Sequence, residues 1–186
     1  MNKPVILASK SPRRKELLEK CISGFTCIPA DIDETINEDN DLSLEIKRLS
    51  RRKAEHVLAS HPNAIVIGSD TIVVVDGKIL GKPHDDNEAF AMVKLLQGRT
   101  HQVITGLCVI SSERAYEDAS VSEVTFAPMS DEEIAAYVAT GECADKAGAY
   151  GIQGYGGKYI THISGDFYAI MGLPLNLVYE ELKRIL

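Results

Sequence analysis

The chain has no apolar run long enough to span a bilayer or to form the core of a secretion signal. Met1-Asn2-Lys3-Pro4 leads only into the short segment Val5-Ile6-Leu7-Ala8. A cytoplasmic protein with no membrane partner is the expectation. The four cysteines, Cys21, Cys27, Cys108 and Cys143, include no C-x-x-C pair and no zinc-like cluster. That excludes a zinc ribbon and leaves buried or half-buried free thiols. His56, His61, His84, His101 and His162 show no H-E-x-x-H or other ligand spacing, so a histidine metal cage is excluded as well. G-x-x-x-x-G-K-[ST] and G-x-G-x-x-G are both missing, which argues against the P-loop and Rossmann modes of phosphate binding. Without G-x-S-x-G, the serines give no basis for a hydrolase triad. Positive charge is in deficit too. Twenty Lys and Arg face 27 Asp and Glu, the net charge is -7, and residues 115 to 145 contain no lysine or arginine. Nucleic acid is therefore not an expected partner, because polymer binding draws its free energy from neutralised phosphates.

What remains is an average globular composition, 45% apolar and 25% charged over 186 residues, enough for one domain with its own core. The basic residues are clustered. Lys10, Arg13, Arg14 and Lys15 crowd one segment and Lys47, Arg48, Arg51, Arg52 and Lys53 another, a pattern suited to a small phosphorylated ligand. Val5–Ala8 does not alternate and reads as a strand buried on both faces. Ser11 and Pro12 then stand as N-cap and first residue of a helix. A strand over 25–30, a helix over 43–59 and a central strand over 64–68 follow, and 71–75 with 78–80 form a hairpin across Asp76-Gly77. Asp70 is expected at the junction between strand and hairpin.

Asp85 and Glu88 propose a capping box for a helix whose inner face carries Ala89, Phe90, Met92, Val93 and Leu96. Residues 101–112 and 118–127 read as a long antiparallel pair. Ser130 caps another helix ending at Gly141, a glycine-rich loop runs from Gly148 to Gly157, 159–170 reads as a strand broken near Gly165, and Pro174 opens the last helix. Alternating elements first and hairpins later give an α/β fold, a mixed twisted sheet with flanking helices.

Four places could carry chemistry. Ser9-Lys10-Ser11-Pro12-Arg13-Arg14 puts hydroxyls and guanidiniums where a strand ends and a helix begins, beside unpaired N–H groups and the positive end of the helix dipole. Helices favour acids in that turn, so Arg13-Arg14-Lys15 is unfavourable there unless an anion compensates. A capped helix with a solvated basic turn is the plainer alternative. Asp70, flanked by Ser69 and Thr71, is placed to hold a divalent metal or to take a proton from water, with Asp31, Asp33 and Glu34 as further acids; it could equally cap the hairpin. Lys82, in Gly81-Lys82-Pro83, and Gln153, in Gly151-Ile152-Gln153-Gly154, could respectively meet a phosphate and a base edge, or belong to ordinary turns.

Taken together, Ser9–Arg14, Glu34, Arg52-Lys53-Ala54, Gly68-Ser69-Asp70-Thr71, Gly81-Lys82-Pro83 and Asp145–Gly154 resemble, in order and over essentially the whole chain, the Maf family. These are nucleotide pyrophosphatases that need a divalent cation, first named for inhibition of septum formation. The resemblance implies a single nucleotide pyrophosphatase domain over 1–186, with the elongated two-lobed fold around a cleft that the family shares with inosine triphosphate pyrophosphatases. It implies Asp70 as proton acceptor or metal-linked activator of water, and Glu34 near the Mg²⁺ or Mn²⁺. Ser9, Arg14, Lys53 and Lys82 would surround the triphosphate, and Arg13, Thr71 and Gln153 would select the base. The form of the Asp145–Gly154 segment resembles the branch acting on dTTP and UTP rather than on 7-methyl-GTP. An inosine or xanthosine triphosphate pyrophosphatase and a non-enzymatic, nucleotide-binding regulator of cell division are the competing expectations. A homodimer is the expected assembly.

Overall fold

The computed structural model describes residues 3–186, so Met1 and Asn2 of the amino-terminal segment lie outside the described residues. The strands are β1 (Val5–Leu7), β2 (Phe25–Cys27), β3 (Ile65–Val75), β4 (Lys78–Leu80), β5 (Thr100–Ile110), β6 (Ala115–Phe126) and β7 (Ile160–Ser164). The helices are α1 (Pro12–Glu19), α2 (Leu42–Ser60), α3 (Asp86–Leu96), α4 (Asp131–Val138), α5 (Phe167–Met171) and α6 (Leu175–Ile185). Hydrogen bonding orders the strands β2-β1-β3-β5-β6-β7, with β4 on β3 off that path. The chain divides into two compact units. One comprises the described residues up to Thr71 with Thr105–Ser120 and Tyr168–Leu186, the other Ile72–Ile104 with Val121–Phe167. Two of the divisions fall inside β3 and β5 and one inside β6.

In the first unit, β1 lies parallel to both β2 and β3, with Val5 opposite Ile65 and Leu7 opposite Ile67. The unbroken apolar runs are explained by period-2 sorting of side chains onto two covered faces. Val5, Leu7, Ile65, Ile67, Leu107 and Val109 join Leu17 and Leu18 of α1 and Val178 and Leu182 of α6 in one core. Ile6, Ala8, Val66, Cys108 and Ile110 join Ala54 and Val57 of α2 in another. Helix α1 begins as its sequence predicts: Ser11 Oγ accepts from the Arg14 N–H, Pro12 follows, and its first turn has no acid. Asp41 caps α2 by accepting from the N–H groups of Ser43 and Leu44.

Helix α2 comes unusually close to the sheet. A Cβ on Gly68 would stand 2.2 Å from the Ser50 carbonyl oxygen, and one on Gly106 would stand 2.4 Å from that of Ile46. Only bare backbone on β3 and β5 admits the helix at this distance. The approach lets Ser50 Oγ accept the Asp70 N–H at 3.1 Å while donating to the Ile46 carbonyl at 2.9 Å.

In the second unit, β4 folds back on β3 with Val73 opposite Leu80. The Asp76-Gly77 turn has φ of 52° and 74°, the two left-handed positions that a two-residue hairpin requires. Ala89, Met92, Val93 and Leu96 of α3 are buried as expected. Ser130 and Glu133 complete a capping box on α4.

Several expectations are corrected. Asp70 is not at a strand end but in the middle of the 11-residue β3, which runs on through Ser69-Asp70-Thr71 with the Asp70 N–H on Ser50 Oγ and the Thr71 N–H on Asp70 Oδ1. Glu88 does not close a box on Asp85; its carboxylate accepts from the His84 N–H instead, at 2.7 Å. The strand expected over 159–170 stops at Ser164, and after Gly165, at φ 122°, the chain turns into α5. The strand expected over 25–30 ends at Cys27. All four cysteines are free thiols, yet Cys27 is exposed rather than covered.

Because the Ile46 carbonyl leaves no room over Gly106, Gly106→Ala is expected to lower stability by about 1–3 kcal/mol through displacement of α2. A urea unfolding midpoint equal to that of the unmodified protein would show that the helix does not depend on this contact.

Candidate active site

The first unit collects most of the residues singled out by sequence, and Asp70 is the point on which they converge. Its Oδ1 accepts the Thr71 N–H at 2.8 Å and lies 3.4 Å from Arg14 Nη2. Its Oδ2 accepts from Lys53 Nζ. The same ammonium lies 3.0 Å from Glu34 Oε1, so one buried lysine, 6% exposed, serves two carboxylates. Lys53 is the exception among the basic residues of α2: Arg48 and Arg51 point outward to Glu45, Glu55 and Glu117. Its position one turn from Ser50, on the face that meets Gly68, carries it inward.

Arg14 is fixed on every side. Nε donates to the Gly172 carbonyl at 2.8 Å, Nη1 to Ser9 Oγ at 3.4 Å and Nη2 to Thr71 Oγ1 at 3.3 Å. Ser9 Oγ also accepts the Ser11 N–H at 3.1 Å, and having accepted from both it keeps its own proton to donate. Arg13 is half-exposed on the first turn of α1.

Burial alone would raise the Asp70 carboxyl. The Arg14 and Lys53 charges, the Lys53 hydrogen bond and the Thr71 N–H outweigh it and hold the group below the ordinary carboxylate range. A folded-state value below the unfolded one means that ionised Asp70 stabilises the fold fully above the ordinary aspartate value. That contribution is lost as pH falls through the depressed one.

Sequence reasoning missed the support beneath these groups. Thr105 on β5 bridges Thr71 Oγ1 at 2.9 Å and the Ala169 carbonyl at 2.7 Å. Ser69 Oγ donates to the carbonyls of Gly106 and Gly172 at 2.8 and 3.0 Å. Ser50 holds the Asp70 N–H. The available signal was a hydroxyl within an apolar strand or stripe, since such a group must find partners once buried.

Lys82 and Gln153 belong to the second unit, and both side chains are exposed. Their segments are joined there: the Gly148 N–H donates to the Gly81 carbonyl at 3.0 Å, and a Cβ on Gly148 would meet Val73 at 2.9 Å. Asp31 and Asp33 remain exposed loop acids, Asp33 accepting from its own loop's Thr35. Among the described residues no three His, Cys, Asp or Glu side chains gather as a metal cluster, and no helix is long and apolar enough to cross a membrane.

The family model described as Maf-like protein matches residues 4–185. A Bacillus mycoides protein named dTTP/UTP pyrophosphatase is 46% identical over 180 residues, 97% of this chain and 94% of that one. A Thermococcus onnurineus protein of the same name is 47% identical over 178 residues, covering 95% of each chain. Among solved structures, the Ham1 protein of Staphylococcus aureus overlaps 86% of this chain and 81% of its own with a TM-score of 0.51 at 15% identity, a likeness of fold alone. Matched from end to end by the family model and by relatives of nearly half its sequence, the chain belongs to the Maf family.

Proposed function

We propose that the protein hydrolyses dTTP and UTP to the nucleoside monophosphate and pyrophosphate. The observation that carries this reading is the half-buried Asp70 carboxylate flanked by Arg14 and Lys53, in a chain 46% identical over 180 residues to a protein named for that activity. Water attacks the α-phosphorus, a new P–O bond forms, the bond to the bridging oxygen breaks and pyrophosphate leaves. Negative charge grows on the phosphate oxygens, which cationic and hydroxyl donors stabilise. Arg14 and Lys53 are assigned to those oxygens together with Ser9, whose uncommitted proton is available to one of them. Arg13 and Thr71 of the first unit are assigned to base selection; in the second unit Lys82 is assigned to phosphate and Gln153 to a base edge.

Asp70 orients the attacking water and takes its proton. While Arg14 and Lys53 both rest on it, the carboxylate is a weak base, since the most effective base has a pKa near the working pH. Phosphate oxygens that draw these two cations away would raise its basicity, which couples substrate binding to activation of water.

The donor set fits a divalent cation. Two carboxylates, Glu34 and Asp70, converge on a single cationic group, and hard oxygen donors in that number suit Mg²⁺ or Mn²⁺, which take one or two carboxylates and complete their shell with water and substrate phosphates. Such an ion would supply charge neutralisation for the triphosphate.

Pyrophosphate release with Mg²⁺ or Mn²⁺ across dTTP, UTP, ITP and 7-methyl-GTP tests the assignment. Release from dTTP and UTP well above the others is expected, and preferential release from ITP or 7-methyl-GTP would reassign the substrate. Asp70→Asn is expected to lower kcat by roughly 10² or more, with the fold retained because Glu34 remains to pair Lys53. Near-normal turnover by a folded Asp70→Asn protein would remove Asp70 from the chemistry. With chelator present, turnover is expected to cease and to return on addition of Mg²⁺; persistence of full activity would exclude a metal requirement.

A further inference from the structure

Glu142 has been given no role so far, yet the loop that carries Gln153 is organised around it. Its Oε2 accepts the Tyr155 N–H at 2.7 Å, and its Oε1 accepts the Gly156 N–H at 3.1 Å and the Tyr137 hydroxyl at 2.8 Å. The Tyr137 oxygen in turn accepts the Gly151 N–H at 3.1 Å. A phenol has one proton, and an N–H can only donate, so the bonds run from Gly151 through Tyr137 to Glu142. Backbone donors on both sides of Gln153, residue 151 before it and residues 155 and 156 after it, therefore end on one carboxylate.

The glycines of this segment admit that carboxylate and little else. A Cβ on Gly154 would stand 1.9 Å from Glu142 Oε2, one on Gly151 would stand 3.0 Å from Oε1, and one on Gly156 would stand 2.8 Å from the Tyr137 hydroxyl. Three donors and no acceptor face the group, which calls for an acceptor-only side chain; an amide would set one N–H against another. Burial pushes the Glu142 carboxyl up, but the Tyr137 hydroxyl, the Tyr155 and Gly156 N–H groups and the Lys146 charge outweigh it and hold the group below the ordinary range. Tyr137 is itself buried, 2% exposed, in the core of the second unit, so the anchor does not move with the loop.

We infer that Glu142, with Tyr137 as its relay, is the positioning residue of the Gln153 loop and through it sets base discrimination. The inference rests on Gln153 as the base contact. It also explains why a segment rich in glycine holds a defined shape: the freedom of Gly151, Gly154 and Gly156 is removed by charge-assisted bonds rather than by side-chain packing.

E142Q, Y137F and Gln153→Ala proteins, assayed on UTP, dTTP and ITP alongside amide exchange, test this. In E142Q the KM for UTP and dTTP is expected to rise about tenfold and the kcat/KM advantage over ITP to shrink by a similar factor, with kcat within about twofold. Exchange of the Tyr155 and Gly156 amides should accelerate by about tenfold or more. Y137F, the milder change, should move the same ratio in the same direction and expose the Gly151 amide, so it carries the test if E142Q does not fold. Wild-type selectivity in folded E142Q or Y137F, beside lost selectivity in Gln153→Ala, would overturn the inference while leaving the base contact standing. Unchanged selectivity in Gln153→Ala would remove the base contact and the specificity consequence with it. Unchanged Tyr155 and Gly156 exchange in E142Q would overturn the positioning role itself.

Discussion

The close approach of α2 to β3 and β5 is the constraint from which the candidate site follows. Gly68 and Gly106 present backbone to the carbonyls of Ser50 and Ile46 at distances that no side chain would tolerate. With the helix that near, Ser50 reaches the Asp70 N–H, and Lys53, less than one turn further along, meets the Asp70 carboxylate. A larger residue at either glycine would lift the helix and separate the ammonium from its partners. The packing of the core and the electrostatics of the site are in this sense one arrangement.

Two acids and two bases then balance around Asp70, with Glu34 and Asp70 facing Lys53 and Arg14. Glu34 is exposed, Arg14 and Asp70 half-buried and Lys53 buried, and such charges contribute little net stability because desolvation and solvent screening consume most of the attraction. They accord with the proposed polyanion binding, in which carbonyl and hydroxyl partners keep Arg14 oriented while phosphate oxygens compete with Asp70 for the two cations. Arg14 illustrates the point, its Nε bonded to Gly172 and its two terminal nitrogens to Ser9, Thr71 and Asp70. An unfavourable charge on the first turn of α1 is thereby matched by partners from the segment between β1 and α1, from β3 and from the segment before α6.

The second unit shows a different means of fixing backbone. There the glycine-rich segment is wrapped around a carboxylate, and the shape of the loop depends on hydrogen bonds to Glu142 and Tyr137. Glycine and proline mark such segments in a sequence as turns, but the partner that decides their shape precedes them in the chain as an unremarked Glu in Thr140-Gly141-Glu142. Nothing about its spacing distinguishes it from a solvated acid.

Local chemistry was legible from the sequence alone. The N-cap at Ser11, the turn at Asp76-Gly77, the cap at Ser130 and the inner face of α3 each depend on residues a few positions apart, and all four are present, whereas the capping box expected between Asp85 and Glu88 is not closed. The ordered motifs Ser9–Arg14, Gly68–Thr71 and Asp145–Gly154 sufficed to indicate the family. The sequence could not tell where β3 ends, because a polar triplet inside an apolar run breaks a strand or continues it according to whether neighbours satisfy its polar groups; here Lys53, Arg14 and Thr105 meet its side chains and Ser50 its backbone. Composition and spacing could not separate Lys53 from Arg51 and Arg52, which only the family resemblance did, since the approach of α2 to two glycines decides which basic residue faces inward. Bonds among neighbours in the chain are fixed by composition and spacing, whereas the environment of a charge is fixed by residues distant in sequence, and only the tertiary structure brings those together.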